Sequence, residues 1–476
     1  MESVAFYQFK TNAGSQWCFR VAALLLMFLP LGLMLGIATT DIPMTGSALS
    51  FLLFSYLEKN FSWLRTTWFK WALMFWAWVM FISIFSVHSA GAFKQALVFI
   101  RYPLFAAALA HWLLRNSTIR RYFLWILTIT MIFTSLDVWL QFITGHDILG
   151  HAAQMSYPSI DGKSTSMVSR LTGLSTKENP GKKLMMLAFP VVAYMMVYLR
   201  QKKIALWKSA GVLGCILVIL VSVIITGERG ASLLMLLGLG LLFLLIKHYR
   251  PLVLLITGLF LAACVLFLYH NSYLYSRYQR IVAVVQDISA PVTQKIEHVL
   301  TTPSVAQQVI LPARLGQPKE QARPLDGPTA YRNLFTTAWH TFKDHPLTGV
   351  GIKQFNAVCQ ATPNYPGKYC STSPQNMYLE LLACTGMIGF ILFMGMSFSW
   401  LRAIVRRADM TGKQTELFKN NPVMMAVGVA LLIRFWPLIC SSSLFFAWSG
   451  MSYWLMAGWL LGYVADRKSQ LSNDEP

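Results

Sequence analysis

A chain of 476 residues is long enough for two or three soluble domains, but 55% of it is hydrophobic, 14% aromatic and only 12% charged. That composition excludes an ordinary soluble enzyme and fits a polytopic membrane protein, because no water-soluble core needs so much apolar surface. The formal net charge of +21 does not mark a nucleic-acid binder: Lys and Arg lie in short clusters between apolar stretches, with no basic domain and no aromatic-basic binding motif.

In chain order, hydropathy predicts transmembrane helices at about 21–39, 42–57, 71–88, 95–114, 122–143, 184–199, 209–226, 231–246, 251–269, 376–400, 423–440 and 444–464. The first follows Lys10 and Arg20 and has the outline of a signal peptide. It lacks a small-residue cleavage site, so a retained span is expected. Alternate loops are basic: Lys59, Arg65 and Lys70; Arg115, Arg120 and Arg121; Arg200, Lys202, Lys203 and Lys208; Lys247 and Arg250; Arg402, Arg406, Arg407, Lys413 and Lys419. The positive-inside rule puts these loops and both termini in the cytoplasm.

The expected fold is therefore all-α, with about twelve transmembrane helices and a long outer loop between helices nine and ten. Residues 1–269 carry nine helices, short loops and an outer loop near 144–183. Residues 270–375 form the long outer loop, which is itself cationic, as long translocated loops are allowed to be. Within it, Ser272 to Ile288 reads either as an amphipathic helix on the membrane surface or as a packed connector. The Pro-, Gln- and Gly-rich stretch 302–328 reads as a mobile insertion. Residues 376–476 hold the last three helices and a cytoplasmic tail.

The polar chemistry concentrates between Tyr331 and Gly389. Tyr331, Leu334, Phe335, Ala338, Trp339 and Phe342 repeat at the spacing of a half-buried helix, with Arg332, Thr336, His340 and Lys343 on the wet side. Asp344-His345-Pro346 ends that helix, since the residue before a proline is pushed out of helical geometry. Gly349-Val350-Gly351 lets the backbone turn, and an apolar helix starts again after Pro374. Five cysteines lie in or beside spans and read as packing. Cys359 and Cys370, eleven apart on the outer side, are a disulfide candidate. No His or Cys spacing suggests a metal site, and no cofactor is expected.

At the outer boundary of a membrane, arginine offers a permanent, planar, bidentate partner for anionic oxygens. Arg229, on the Gly227-Glu228-Arg229-Gly230 turn, and Arg332, on the polar stripe of the loop helix, suit that role. The alternative for each is a headgroup anchor. Arg101 and Arg434 lie within apolar spans near their outer ends, and Asp137 in helix five is a candidate ion-pair partner for Arg101.

Four outer stretches resemble the bacterial O-antigen ligase and polymerase superfamily. They are Arg170-Leu171-Thr172-Gly173 with Asn179-Pro180; Thr226-Gly227-Glu228-Arg229-Gly230; Arg332 and Trp339 with His345-Pro346-Leu347-Thr348-Gly349-Val350-Gly351; and Gln375-Asn376 followed by Gly386 and Gly389, eleven and fourteen positions after Gln375. In the last, the family pattern begins with His where this chain has Gln375. The resemblance implies an enzyme of the bacterial inner membrane, with its active site facing the periplasm. It would move a glycan from undecaprenyl diphosphate to a lipid A core acceptor or a growing glycan chain, among membrane lipids.

By the same resemblance Arg170, Arg229, Arg332 and Asn376 would bind substrate, and Gln375 would take the catalytic position with Arg229 and Arg332. Gln375 can hydrogen-bond a sugar hydroxyl but titrates nowhere near neutrality, so His340 and His345 are candidate substitutes for the missing base, with Glu228 and Glu380 behind them. A polysaccharide polymerase is the alternative within the family. A flippase or secondary transporter is the alternative outside it, and the absence of evident related halves in the sequence argues against that reading.

Overall fold

The computed structural model of the chain describes residues 12–156, 168–175, 180–200, 205–271, 274, 275, 278, 328–362, 368–409, 421–437, 443–445 and 447–471. Most of the expected surface helix at 272–288, and the 302–328 insertion except residue 328, lie outside the described residues.

Each expected span overlaps a helix: α1 Ala13–Leu35, α2 Ile37–Leu57, α3 Thr67–Ile84, α4 Ser89–Leu113, α5 Ser117–Thr144, α6 Pro180–Leu199, α7 Leu206–Ile225, α8 Arg229–Leu245 and α9 Lys247–His270, then α12 Met377–Asp409, α13 Pro422–Arg434 and α14 Ala447–Leu471. Two further helices, α10 Pro328–Asp344 and α11 Phe355–Ala361, belong to the long loop. Among the described residues, nine helices are long and apolar enough to cross a membrane. α8 and α13 are shorter, at 17 and 13 residues, which at about 1.5 Å per residue is less than a full apolar core. One feature departs from the all-α expectation. Strands β1 Gln154–Ser156 and β2 Val168–Arg170 pair antiparallel, with Gln154 opposite Arg170.

The α1–α2 connection takes a single residue, Gly36, and is tied by hydroxyls: Thr39 and Thr40 donate to the Gly32 carbonyl at 3.0 and 2.9 Å. A Cβ on Gly32 would lie 2.4 Å from Thr39 O, so only glycine lets these helices meet there. α4 is not one rod. Its first segment, Ser89–Phe99, buries only Ala92, Ala96 and Phe99, and a second segment starts at Arg101. α14 packs along that second segment, where a Cβ on Gly458 would lie 2.9 Å from Ala106 O. Small residues let helices approach closely where lipid offers no hydrophobic drive for association. Around them the rings of Phe99, Trp400, Tyr453, Trp454 and Trp459 fill the core, with Trp459 5.1 Å from Phe123 and Trp454 5.6 Å from Trp400. α13 lies against α6, α8 and α14.

Candidate functional site

The two glycine motifs meet through the backbone. α12 breaks at Gly386, whose φ of 66° and ψ of −173° open the helical ladder and would strand the carbonyls of residues 383, 384 and 385. In an apolar setting each unpaired group costs several kcal/mol. The loop after α10 supplies the missing partners. Val350 N–H donates to Ala383 O at 3.0 Å and Gly351 N–H to Cys384 O at 2.9 Å, while Pro346 O accepts from Met387 N–H at 2.8 Å. The third carbonyl, of Thr385, accepts from the Trp78 indole of α3 at 2.9 Å. The approach excludes side chains: a Cβ on Gly386 would lie 2.1 Å from Leu347 O, and one on Gly349 2.5 Å from Cys384 C. The run His345–Gly351 is thus a backbone plug for a broken helix.

That plug fixes where α12 starts. Gln375 is half-buried, in the left-handed region at φ 55°, a conformation that costs a non-glycine residue about 1–3 kcal/mol and tends to persist at functional sites. Asn376 caps the helix, its Oδ1 accepting from Tyr378 N–H at 3.0 Å and Leu379 N–H at 3.2 Å. Its Nδ2 donates to Pro437 O at 3.0 Å. Both ends of this amide are engaged by protein, so Asn376 positions Gln375 and the segment after α13 together. Tyr378 Oη adds a 2.6 Å bond to Phe435 O. One turn on, the buried Glu380 accepts from Ser443 Oγ and, at 2.9 Å, from Leu444 N–H. Arg434, also buried, donates to Ser449 Oγ and, at 3.5 Å, to Ser443 O. Ser443 therefore bridges an acid and a base that are buried together, the arrangement that makes such charges tolerable.

The loop helix α10 buries Leu334, Thr337, Ala338, Thr341 and Phe342 and leaves Arg332, Trp339 and Lys343 exposed, with His340 between. Trp339, expected on the buried face, is 43% exposed, because Thr337 and Thr341 take the inner positions and bond back to Asn333 O and Thr337 O. His345 is exposed at the end of α10, where its backbone closes the turn rather than its ring. A disulfide joins Cys359 to Cys370, with the Cα atoms 5.6 Å apart, and Tyr369 N–H donates to Thr337 Oγ1 at 3.2 Å. The stretch leading to Gln375 is thereby clipped to both α11 and α10. Closing a ring over a sequence separation of 11 contributes about 3 kcal/mol by loop closure. Replacing both cysteines by serine is expected to lower the melting temperature in detergent and to reduce transfer; an unchanged melting curve together with unchanged turnover would show that the clip is idle.

The other two motifs gather on the α5–α8 side. Gln141 of α5 holds the first: its Oε1 accepts from Thr172 N–H and Gly173 N–H, both at 2.9 Å. Asp137 accepts from Ile148 N–H at 2.9 Å. Gly173 lies in the left-handed region at φ 55°, and a Cβ there would sit tightly beside Val138 at 3.1 Å and Asp137 at 3.3 Å. Arg170 ends β2, and its side chain lies outside the described residues. Gly181 in the first turn of α6 packs on the second motif, where a Cβ would lie 2.4 Å from Thr226 Oγ1. Arg229, half-buried, opens α8 directly after Glu228 at its N-cap.

Two expected partners change. Asp137 does not meet Arg101; Arg101 pairs with Asp41 at 3.0 Å, because α2 rather than α5 packs against that part of α4. Sequence reasoning did not foresee Gln141, Trp78 or Ser443, which are ordinary residue types whose roles depend on partners far along the chain. Arg434 and Glu380 carried a signal in being ionisable within apolar spans. Among the described residues no group of His, Cys, Asp or Glu is placed to hold a metal ion.

Comparison with known proteins finds a family match over part of the chain. Residues 214–394, from α7 through the first half of α12, match the family described as O-Antigen ligase. The match takes in Arg229, Arg332, Gln375, Gly386 and Gly389 and leaves out Arg170. No curated protein matches the chain.

Proposed function

We infer, from an O-antigen ligase domain at residues 214–394, that this multi-pass membrane protein moves a glycan from undecaprenyl diphosphate to a lipid A core acceptor at the periplasmic face of the bacterial inner membrane. A role in surface polysaccharide assembly is what the family itself carries.

In this reading Arg229 and Arg332 bind the diphosphate. As the acceptor oxygen bonds to the anomeric carbon and the bond from that carbon to the diphosphate oxygen breaks, negative charge collects on the leaving group, and fixed guanidiniums stabilise it. Gln375 accepts a hydrogen bond from the acceptor hydroxyl and holds its oxygen in line. The observation that carries this reading is the strained, fixed placement of Gln375 at the head of α12, inside the matched domain. A glycosyl-transfer transition state with oxocarbenium character lets the hydroxyl lose its proton late, to water after the new bond to carbon has formed, so orientation can take the place of basicity.

The test measures product from purified protein, lipid-linked glycan and acceptor. Gln375→Ala is expected to lose about 100-fold or more, as positioning terms allow, and Gln375→His to retain transfer. Full activity in Gln375→Ala would remove the residue from the mechanism. Glutamine in the histidine position also favours a second reading, a polymerase that adds repeat units to a lipid-linked chain. Product on a lipid-linked acceptor, with none on lipid A core, would select it.

A further inference from the structure

The long outer loop begins beside the Arg229 turn and is fastened to it by one hydroxyl. α9 ends at His270, and Asn271 opens a further turn, its Oδ1 accepting from Leu274 N–H at 3.0 Å and its carbonyl from Tyr275 N–H at 2.9 Å. Leu274 is fully buried and Tyr275 exposed, so position 278, four residues after Leu274, falls on the inner face. Tyr278 Oη lies 2.7 Å from Ser232 Oγ and donates to Ile224 O at 3.2 Å. A carbonyl only accepts, so the single phenol proton goes to Ile224 and the phenol oxygen accepts from Ser232. Ile224 belongs to the last turn of α7 and Ser232 to the first turn of α8. One side chain therefore touches both arms of the turn that carries Arg229.

The local backbone does little to hold that turn. Gly227 lies in the left-handed region at φ 69°, and Gly230 follows Arg229 directly, so two glycines leave the angle between the arms soft. Tertiary contacts set it instead. α6 presses on the turn, where a Cβ on Gly181 would lie 2.4 Å from Thr226 Oγ1 and 3.0 Å from Glu228 Oε2, and Tyr278 supplies a second hold from another part of the chain. Ser232 stands three positions after Arg229, the spacing at which helical side chains are neighbours. A shift at Ser232 is thus passed to Arg229 with no flexible loop between them.

We propose that Tyr278 is a positioning residue for the transfer reaction: its hydroxyl holds the α7–α8 turn in the shape that presents the Arg229 guanidinium to the lipid-linked diphosphate, and does so from the loop that carries Arg332. The inference rests on the diphosphate-binding role of Arg229 given above. Tyr278 acts through the turn, so its loss falls on the donor and spares the acceptor.

The experiment uses full-length protein in phosphatidylcholine nanodiscs, with lipid-linked glycan as donor, lipid A core as acceptor, and rates measured against each substrate in turn. Tyr278→Phe keeps the ring and removes both hydrogen bonds. It is expected to raise KM for the donor about tenfold, the scale of one or two neutral hydrogen bonds, and to leave KM for the acceptor within about twofold. Ser232→Ala, which removes one partner without touching the loop, is expected to shift the donor KM the same way by less. In an Arg229→Ala background Tyr278→Phe is expected to add nothing, because a brace has no effect once the group it holds is gone. Hydrogen exchange over 224–232 reads the brace without turnover, and is expected to quicken in Tyr278→Phe.

A wild-type donor KM in both Tyr278→Phe and Ser232→Ala overturns the positioning role. So does an equal rise in both KM values, or a full further loss in the Arg229→Ala background. The two inferences fail differently. Impaired Arg229→Ala with silent Tyr278→Phe removes Tyr278 and leaves the function; unimpaired Arg229→Ala with faster exchange in Tyr278→Phe removes the diphosphate role of Arg229 and leaves Tyr278 as a structural tie alone.

Discussion

Gly386→Val is expected to abolish transfer and to reduce sharply the yield of monodisperse protein. At φ 66° and ψ −173° the position lies in a region open essentially to glycine. A side chain would also drive into backbone rather than into a movable group: Leu347 O at 2.1 Å, Leu347 C at 2.3 Å and Thr348 N at 2.6 Å. Relief requires withdrawing the 346–351 plug, which unpairs the carbonyls of Ala383 and Cys384 together, at about 1–3 kcal/mol for each buried unsatisfied group. Gly389→Ala is the milder variant. Its Cβ would meet side-chain atoms, the Thr385 hydroxyl at 2.3 Å, Thr385 Cβ at 2.4 Å and Trp78 Cδ1 at 3.1 Å; the hydroxyl can turn but Thr385 Cβ cannot, so the helix must shift locally and a loss smaller than that of Gly386→Val is expected. Size-exclusion profiles and transfer rates of both variants at matched protein levels check this. Near-normal behaviour of Gly386→Val would mean that the loop and the broken helix are not interlocked.

Arg229→Ala and Arg332→Ala are each expected to cut transfer by about 100-fold or more while the protein still inserts, since removing one fixed donor aimed at developing charge costs about that much. Lysine should restore little at either position, because it lacks the fork that meets two oxygens at once. The measurement is product formed per unit of membrane-inserted enzyme. Alanine variants within about threefold of wild type would return both arginines to the headgroup-anchoring role that exposed membrane-edge arginines often have.

The apolar segments were legible because long hydrophobic runs between basic clusters leave few alternatives, and each expected span overlaps a helix in the structure. The broken helix was not. Gly386 sits in a run, from Leu381 to Phe393, whose composition suits an unbroken helix equally well, and only the plug arriving from residues 346–351 makes the break affordable. The cap at Asn376 follows an ordinary rule, a side-chain oxygen accepting from the first helical N–H groups; the motif drew attention to the residue as a ligand instead. Arg101 was legible as an arginine needing a partner, but choosing between Asp41 and Asp137 required knowing which helices touch. Thr172 and Gly173 carried the family pattern, while Gln141, which holds both, lies outside every motif.

The bond from Trp78 to Thr385 spans 307 positions of the chain, which has a consequence for the order of events at the ribosome. α3 enters the membrane early, yet its indole has no carbonyl to meet until α12 has been made. By then the plug loop has emerged as well and can close on Ala383 and Cys384. A nascent chain that stops before residue 386 holds a Trp78 indole without this carbonyl and a loop with no helix break to close on. Completion of this one helix is therefore the point at which an early span and the late loop are joined.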